Sequence, residues 1–166
     1  MKFFAKRKLN KQLEQLSKRS VINPKTIKRL IFIHDVDLDI TESQFEEFCA
    51  IFSNSYNLIE YVNYSENKKM LEGKPRPHLH GKSIDWYGRF TDNELNYVMS
   101  QKYDLLVHFV SNISIPLQLF SSKLDASFRI GPFSLDKRLN DLVISEKLDF
   151  SFFLSDVKKS VSYTHL

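Results

Sequence analysis

Apolar residues recur along this chain in two rhythms, and the alternation between them predicts the fold. Residues 2–19 (KFFAKRKLNKQLEQLSKR) show a helical rhythm: Ala5, Leu9, Leu13 and Leu16 are spaced by 4, 4 and 3, which draws a narrow apolar stripe. Ser20–Pro24 ends that helix, because Pro24 disfavours α geometry at Asn23. Leu30-Ile31-Phe32-Ile33 then forms a continuous apolar run, as expected of a strand covered on both faces. Thr41-x-x-Gln44 is a capping box opening a helix with Phe45, Phe48, Cys49 and Phe52 at i, i+3, i+4 and i+7. Leu58–Tyr64 reads as the next strand and Ile84–Tyr87 as a short one. Between them, 65–83 (SENKKMLEGKPRPHLHGKS) is polar and punctuated by Gly and Pro, and a loop of that length is usually functional or disordered.

The second half repeats the alternation. Thr91-x-x-Glu94 is another capping box, ahead of Leu95, Val98 and Met99. Asp104–Val110 (DLLVHFV) is a buried strand. Ser114 caps the next helix, which tolerates Pro116 in its first turn and carries Leu117, Phe120 and Leu124 on one face. Ala126–Ile130 is a strand stopped by Gly131-Pro132, and Asp141–Ser145 is the last one. Asp149 caps a final helix with Phe150, Phe153, Leu154, Val157 and Val161 at helical spacing. Strands alternating with helices predict an α/β fold: a single Rossmann-like three-layer domain with a mostly parallel sheet over residues 23–166, preceded by a basic amphipathic helical arm over 1–22. In such sheets ligands bind beyond the carboxyl ends of the strands.

Composition limits the class. With 166 residues, 42% hydrophobic side chains and 14 Phe, the chain can bury one full core. The lone Cys49 cannot form an internal disulfide and reads as a buried thiol in a reducing compartment. No 18-residue apolar run predicts a membrane span, and no apolar core follows the N-terminal charges as a secretory signal requires. A mitochondrial presequence is a subsidiary reading, since the stretch favours Lys over Arg and is poor in Ser. The expected setting is cytoplasmic, with attachment at the periphery of a membrane or ribosome as an option.

Charge is the most informative feature. The first 29 residues hold ten of the 24 Lys and Arg but only one of the 20 acidic groups, Glu14; the rest of the chain carries 14 basic and 19 acidic groups. A basic arm on an acidic body points to a polyanionic partner, either ribosome or RNA or an anionic membrane, with a protein partner as a further option. Lys2, Lys6, Arg7, Lys8, Lys11, Lys18 and Arg19 are the candidate contacts. Phe3 and Phe4 beside them fit an interfacial anchor or simple packing on the body. The bland alternative is a solvated helix docked on its own domain or building a dimer.

Catalytic signals are weak. Asp35-Val36-Asp37-Leu38-Asp39 follows the first strand with the spacing of a haloacid-dehalogenase DxD, but Asp39 stands where Thr or Val belongs and the later acidic pair is missing. A polar turn leading to the Thr41 cap explains it better. His78-x-His80 has no Cys nearby to complete a metal site. His108 lies in an apolar strand as an ordinary core histidine. The turn HDVDLDIT after the first strand lacks the glycines of a dinucleotide or P-loop site, and no GxSxG is present. Asp35, Asp37, Asn112 and Arg138 remain as ligand-pocket candidates at the strand ends. No catalytic residue, metal or cofactor is assigned, and a non-enzymatic module is favoured over an enzyme.

Three segments carry a family resemblance: Tyr103-Asp104-Leu105-Leu106-Val107, Ser121 through Gly131 (SSKLDASFRIG), and Arg138 through Ile144 (RLNDLVI). Together with the Asn23-Pro24-Lys25 lead, they resemble an uncharacterised family of short α/β proteins from Bacteroidota, over most of residues 20–160. That resemblance implies an α/β fold in a bacterial cytoplasm and no particular activity. The YDLLV and FRIG segments are also similar to the acceptor-side half of heptosyltransferase-type glycosyltransferases. The Gly-Asp turn those enzymes use after their first strand is absent here, and their nucleotide-sugar-binding domain has no counterpart in this sequence, so the resemblance implies a degenerate relative at most.

Overall fold

A computed structural model of the chain describes residues 3–24, 26–52, 58–144 and 149–164; Lys2, Lys25, Ser145 and the side chain of Val161 lie outside that set. The elements, in chain order, are α1 (Phe3–Ser17), β1 (Arg29–Asp35), α2 (Glu42–Ile51), β2 (Leu58–Ser65), β3 (His78–His80), α3 (Asn93–Ser100), β4 (Lys102–Phe109), α4 (Ile115–Lys123), β5 (Asp125–Pro132), β6 (Leu142–Ile144) and α5 (Phe150–Thr164). Short 3₁₀ turns lie at Lys68–Leu71 and Lys137–Leu139. The strands form one six-stranded sheet in the order β3-β2-β1-β4-β5-β6, and every pairing is parallel. This is the doubly wound Rossmann order, reversing direction between β1 and β4.

The sheet is covered on both faces, so its central strands need apolar residues at every position. In β1, Ile31 and Ile33 meet the layer of α1, α3 and α4, while Leu30 and Phe32 meet α2 and α5. The first layer is mainly aliphatic, built on Leu9, Leu13, Leu95, Val98, Leu117 and Leu119 with Phe90 and Phe120 among them. The second is aromatic: Phe32, Phe48, Phe109, Phe150 and Phe153 pack with ring centroids 4.9–6.4 Å apart. Helix α1 therefore completes a layer, burying Ala5, Leu9 and Leu13 mainly against α4.

Three predicted caps are present, one of them Asp149, whose side chain accepts from Ser151 N–H at 2.7 Å ahead of α5. Thr41 and Gln44 form the full capping box of α2, and the Ser114 hydroxyl accepts from Leu117 N–H at the start of α4. Three expectations are corrected. The 65–83 stretch contains the edge strand β3, whose Leu79 is buried against Tyr64 in the sheet. Helix α3 is capped by Asp92 rather than Thr91, its carboxylate accepting from the Glu94 and Leu95 amides. Ile84–Tyr87 is no strand: Ile84 bridges Phe90, and a tight turn lies between them.

Candidate functional site

At the switch point between β1 and β4, ligand sites of this architecture open beyond the strand ends. Here Asp35 closes that position with its own chain. One carboxylate oxygen accepts from Ser111 N–H (3.1 Å), Ser111 Oγ–H (2.8 Å), Asn112 N–H (3.0 Å) and Asn112 Nδ2–H (3.4 Å). The other accepts from Asp37 N–H (3.1 Å). Asp35 is 0% exposed, so its charge is compensated by neutral donors rather than a cation. A phosphatase-type nucleophile needs an exposed oxygen, and Asp35 offers none. Asn112 Nδ2–H also donates to the exposed Asp37 at 3.2 Å. Asp35, Asp37 and Asn112 are thus brought together, as a brace from β1 to the β4–α4 turn. Arg138 stands apart, beyond β5: its guanidinium binds Asp136 (2.8 and 2.9 Å) and lies near Glu14 of α1.

Beside the switch point, over the α2 face, a cavity of about 410 Å³ is lined by His34, Phe45, Tyr61, Asn63, Lys74 and Arg76, among others. His34 Nε2–H donates to the Leu38 carbonyl at 2.6 Å, which leaves Nδ1 to accept from the Tyr61 hydroxyl at 2.5 Å. Burial lowers the His34 pKa, with the Leu38 carbonyl opposing, and burial raises that of Tyr61. The pair is therefore neutral and internally satisfied near pH 7. Arg76 is held by Asp92 (2.6 Å) and Glu94 (2.9 Å), and Asn63 Nδ2–H by the Pro75 carbonyl (2.9 Å). Lys74 is a second exposed cation at this rim. His78 and His80 bind the Lys74 carbonyl and the Lys82 amide, and among the described residues no three His, Cys, Asp or Glu side chains group to hold a metal.

The basic candidates on α1 divide into two sets. Lys8 donates to the Gly88 carbonyl (3.1 Å) and Arg19 to Asp141 (2.5 Å) and the Ser127 carbonyl (3.2 Å); both fix α1 to the body. Burial, with Lys8 close by, pulls the Lys123 ammonium down to about 8. Lys6, Arg7, Lys11 and Lys18 are exposed, and among the described residues no hydrogen-bond or ion-pair partner is found for their side-chain cations. Arg7 and Lys11, at i and i+4, lie on the side of α1 opposite the buried Leu9 and Leu13, and Lys18 follows in the turn after Ser17.

Next to the start of α1 lies a turn that the sequence reading missed. Asp85 accepts a turn-closing bond from Gly88 N–H (3.0 Å), Gly88 adopts φ 71°, and Asp85 N–H donates to the Arg89 carbonyl (2.9 Å). The Asp85 side chain binds the amides of Tyr87 and Arg89 (both 2.9 Å) and the Arg89 guanidinium (2.7 Å). Asp followed three residues later by Gly was the available signal. Trp86 and Tyr87 occupy the tip, 52% and 60% exposed.

The fold and these sites define a doubly wound parallel α/β domain in which Asp35 ties the end of β1 to the β4–α4 turn at the switch point. Residues 2–162 match the model of a family of unknown function, DUF6913, and the chain belongs to that family. No curated protein and no solved structure matches it.

Proposed function

We propose that this protein is a non-enzymatic interaction module that docks on a polyanionic surface through the solvent face of α1. The observation that carries this reading is the division of the α1 cations. The apolar stripe is consumed by packing, yet Lys6, Arg7, Lys11 and Lys18 face water without protein partners among the described residues. RNA, including ribosomal RNA, and anionic lipid headgroups supply the phosphates such a face would meet; an acidic partner protein is the remaining form. Near an anionic lipid surface each Lys or Arg contributes about 1 kcal/mol, so four give roughly 4 kcal/mol, a millimolar-class attachment. The acid excess of the body, 19 acidic against 14 basic groups after residue 29, turns the rest of the molecule away and fixes orientation. The setting we propose is the bacterial cytoplasm, at the periphery of a membrane or ribosome.

The test is co-sedimentation of the full chain and of K6Q/R7Q/K11Q/K18Q with ribosomes and with phosphatidylserine vesicles, at low and high salt. Salt-sensitive binding by the native chain and its loss in the variant are expected. Equal sedimentation of both forms contradicts the reading. Truncating α1 is unsuitable, because it removes Leu9 and Leu13 from the core.

A second reading is favoured by one observation, the cavity of about 410 Å³ beside His34 and Tyr61 with Lys74 at its rim. It makes the protein a small ligand-binding domain, degenerate glycosyltransferase-like or phosphate-handling, working at the strand ends. Thermal shift with nucleotide sugars and phosphorylated sugars tests it, and an unchanged melting temperature across both classes counts against it.

A further inference from the structure

Turn tips are normally polar, because they project into water and take residues that bond their own backbone. The Asp85–Arg89 turn is polar everywhere except its tip, where Trp86 and Tyr87 stand in solvent. The tip is anchored, not loose. A Cβ on Gly88 would lie 3.3 Å from Ala5 Cα and 3.2 Å from Leu119 Cδ2, so the turn is seated on α1 and α4 as closely as glycine permits. Lys8 Nζ holds the Gly88 carbonyl from the α1 side. Tyr87 lies 6.1 Å from the Phe4 ring, and Phe4 lies 5.7 Å from Phe3, which is 71% exposed. Two segments some eighty residues apart thus hold four aromatic rings at one place. A cavity of about 230 Å³ adjoins Trp86 and is lined also by Ala5, Lys82, Ile84, Ile115 and Pro116.

Building on the polyanion reading above, we infer that the surface α1 meets is an anionic lipid membrane, and that Phe3, Phe4, Trp86 and Tyr87 enter its headgroup region. Membrane attachment by charge alone is weak and becomes stable when a second, apolar signal is added. Aromatic side chains with a polar edge favour the membrane–water interface, and Lys6, Arg7 and Lys82 supply charge complementary to acidic headgroups. The acid inside the patch, Asp85, is neutralised by Arg89. A single-stranded RNA would instead need open ring faces on which bases stack. Here the Arg89 guanidinium already lies over one face of the Tyr87 ring at 5.3 Å.

Trp86 is the sole tryptophan of the chain, so its fluorescence reports on the tip alone. The experiment is titration of the full chain with phosphatidylcholine vesicles, with and without phosphatidylserine, and with poly(U) RNA. Brominated acyl chains serve as a quencher. The inference predicts binding to phosphatidylserine vesicles with a blue shift and bromine quenching of Trp86. The variant W86S/Y87S, which lacks the fluorophore and is followed by vesicle co-sedimentation beside the native chain, should melt like the native chain and bind these vesicles roughly tenfold or more weakly. Two results overturn the inference while leaving the polyanion reading intact: salt-sensitive binding to poly(U) but not to vesicles, or vesicle binding with Trp86 unquenched. Failure of the native chain to bind either probe overturns both.

Discussion

Ser121 Oγ lies 2.7 Å from His108 Nε2, the geometry of a nucleophile and its base, yet both residues are 0% exposed. The other ring nitrogen donates to the Ile130 carbonyl at 3.0 Å, which fixes the tautomer: Nδ1 carries the proton and Nε2 accepts from Ser121. With a backbone carbonyl where a catalytic carboxylate would stand, and no route to substrate, the pair is a satisfied core contact between β4, β5 and α4. Burial pushes the His108 pKa down to about 3. The folded protein therefore binds fewer protons than the unfolded chain between pH 6.5 and 3. Stability is full above 6.5 and falls on acidification by about 1.4 kcal/mol per unit across that window from this group alone. Urea unfolding at stepped pH should show the slope, and H108L/S121A should flatten it. Ser121→Ala alone should cost about 1–3 kcal/mol by leaving Nε2 unpaired.

Asp35 and Asp37 should separate cleanly. Asp35→Asn puts an amide donor among the Ser111 and Asn112 donors and should lower stability by about 1–3 kcal/mol. Asp37→Asn, at an exposed position, should stay within about 0.5 kcal/mol. Urea midpoints measure both. Equal, negligible changes would mean that Asp35 is not a brace.

Gly131 is required by a neighbour rather than by its backbone angles. A Cβ there would meet Asn140 Oδ1 at 2.3 Å, and Asn140 Nδ2–H is tied to the Pro132 carbonyl at 3.1 Å. Gly131→Ala should cost about 1–3 kcal/mol through overpacking. In a double-mutant cycle, Asn140→Ala should return part of that loss, giving a coupling energy of about 0.5 kcal/mol or more.

Leu13→Ala on α1 should destabilise the whole domain by about 2–5 kcal/mol, because Leu13 is buried in the core shared with α4. A single unfolding transition shifted as a unit is expected. A local loss of helix with the remainder unchanged would show α1 to be an independent appendage.

Much of this fold was legible because local and tertiary signals agree. The apolar runs of β1 and β4 exist because those strands are covered on both faces, and Thr41 and Ser114 cap helices with their own side chains. The misses are positions decided by distant partners. His78-Leu79-His80 reads as loop because only Leu79 is apolar, and it becomes a strand through its register with Asn63–Ser65. Asp92 rather than Thr91 caps α3, where its carboxylate also holds Arg76 from the β2–β3 connection. At the candidate site, Asp35 and Asn112 are legible as strand-end neighbours, but the cavity lies beside them over His34, and Ile84–Tyr87, which reads as a strand by its apolar residues, is a turn whose tip is Trp86 and Tyr87.

The measurement that tests the central claim most directly is salt-dependent co-sedimentation of the native chain and K6Q/R7Q/K11Q/K18Q with phosphatidylserine vesicles and ribosomes, alongside the melting temperature of each form. The account predicts that the variant melts like the native chain and loses the salt-sensitive association. A variant that folds normally and binds as well as the native chain, or a native chain that binds neither probe at low salt, would contradict it.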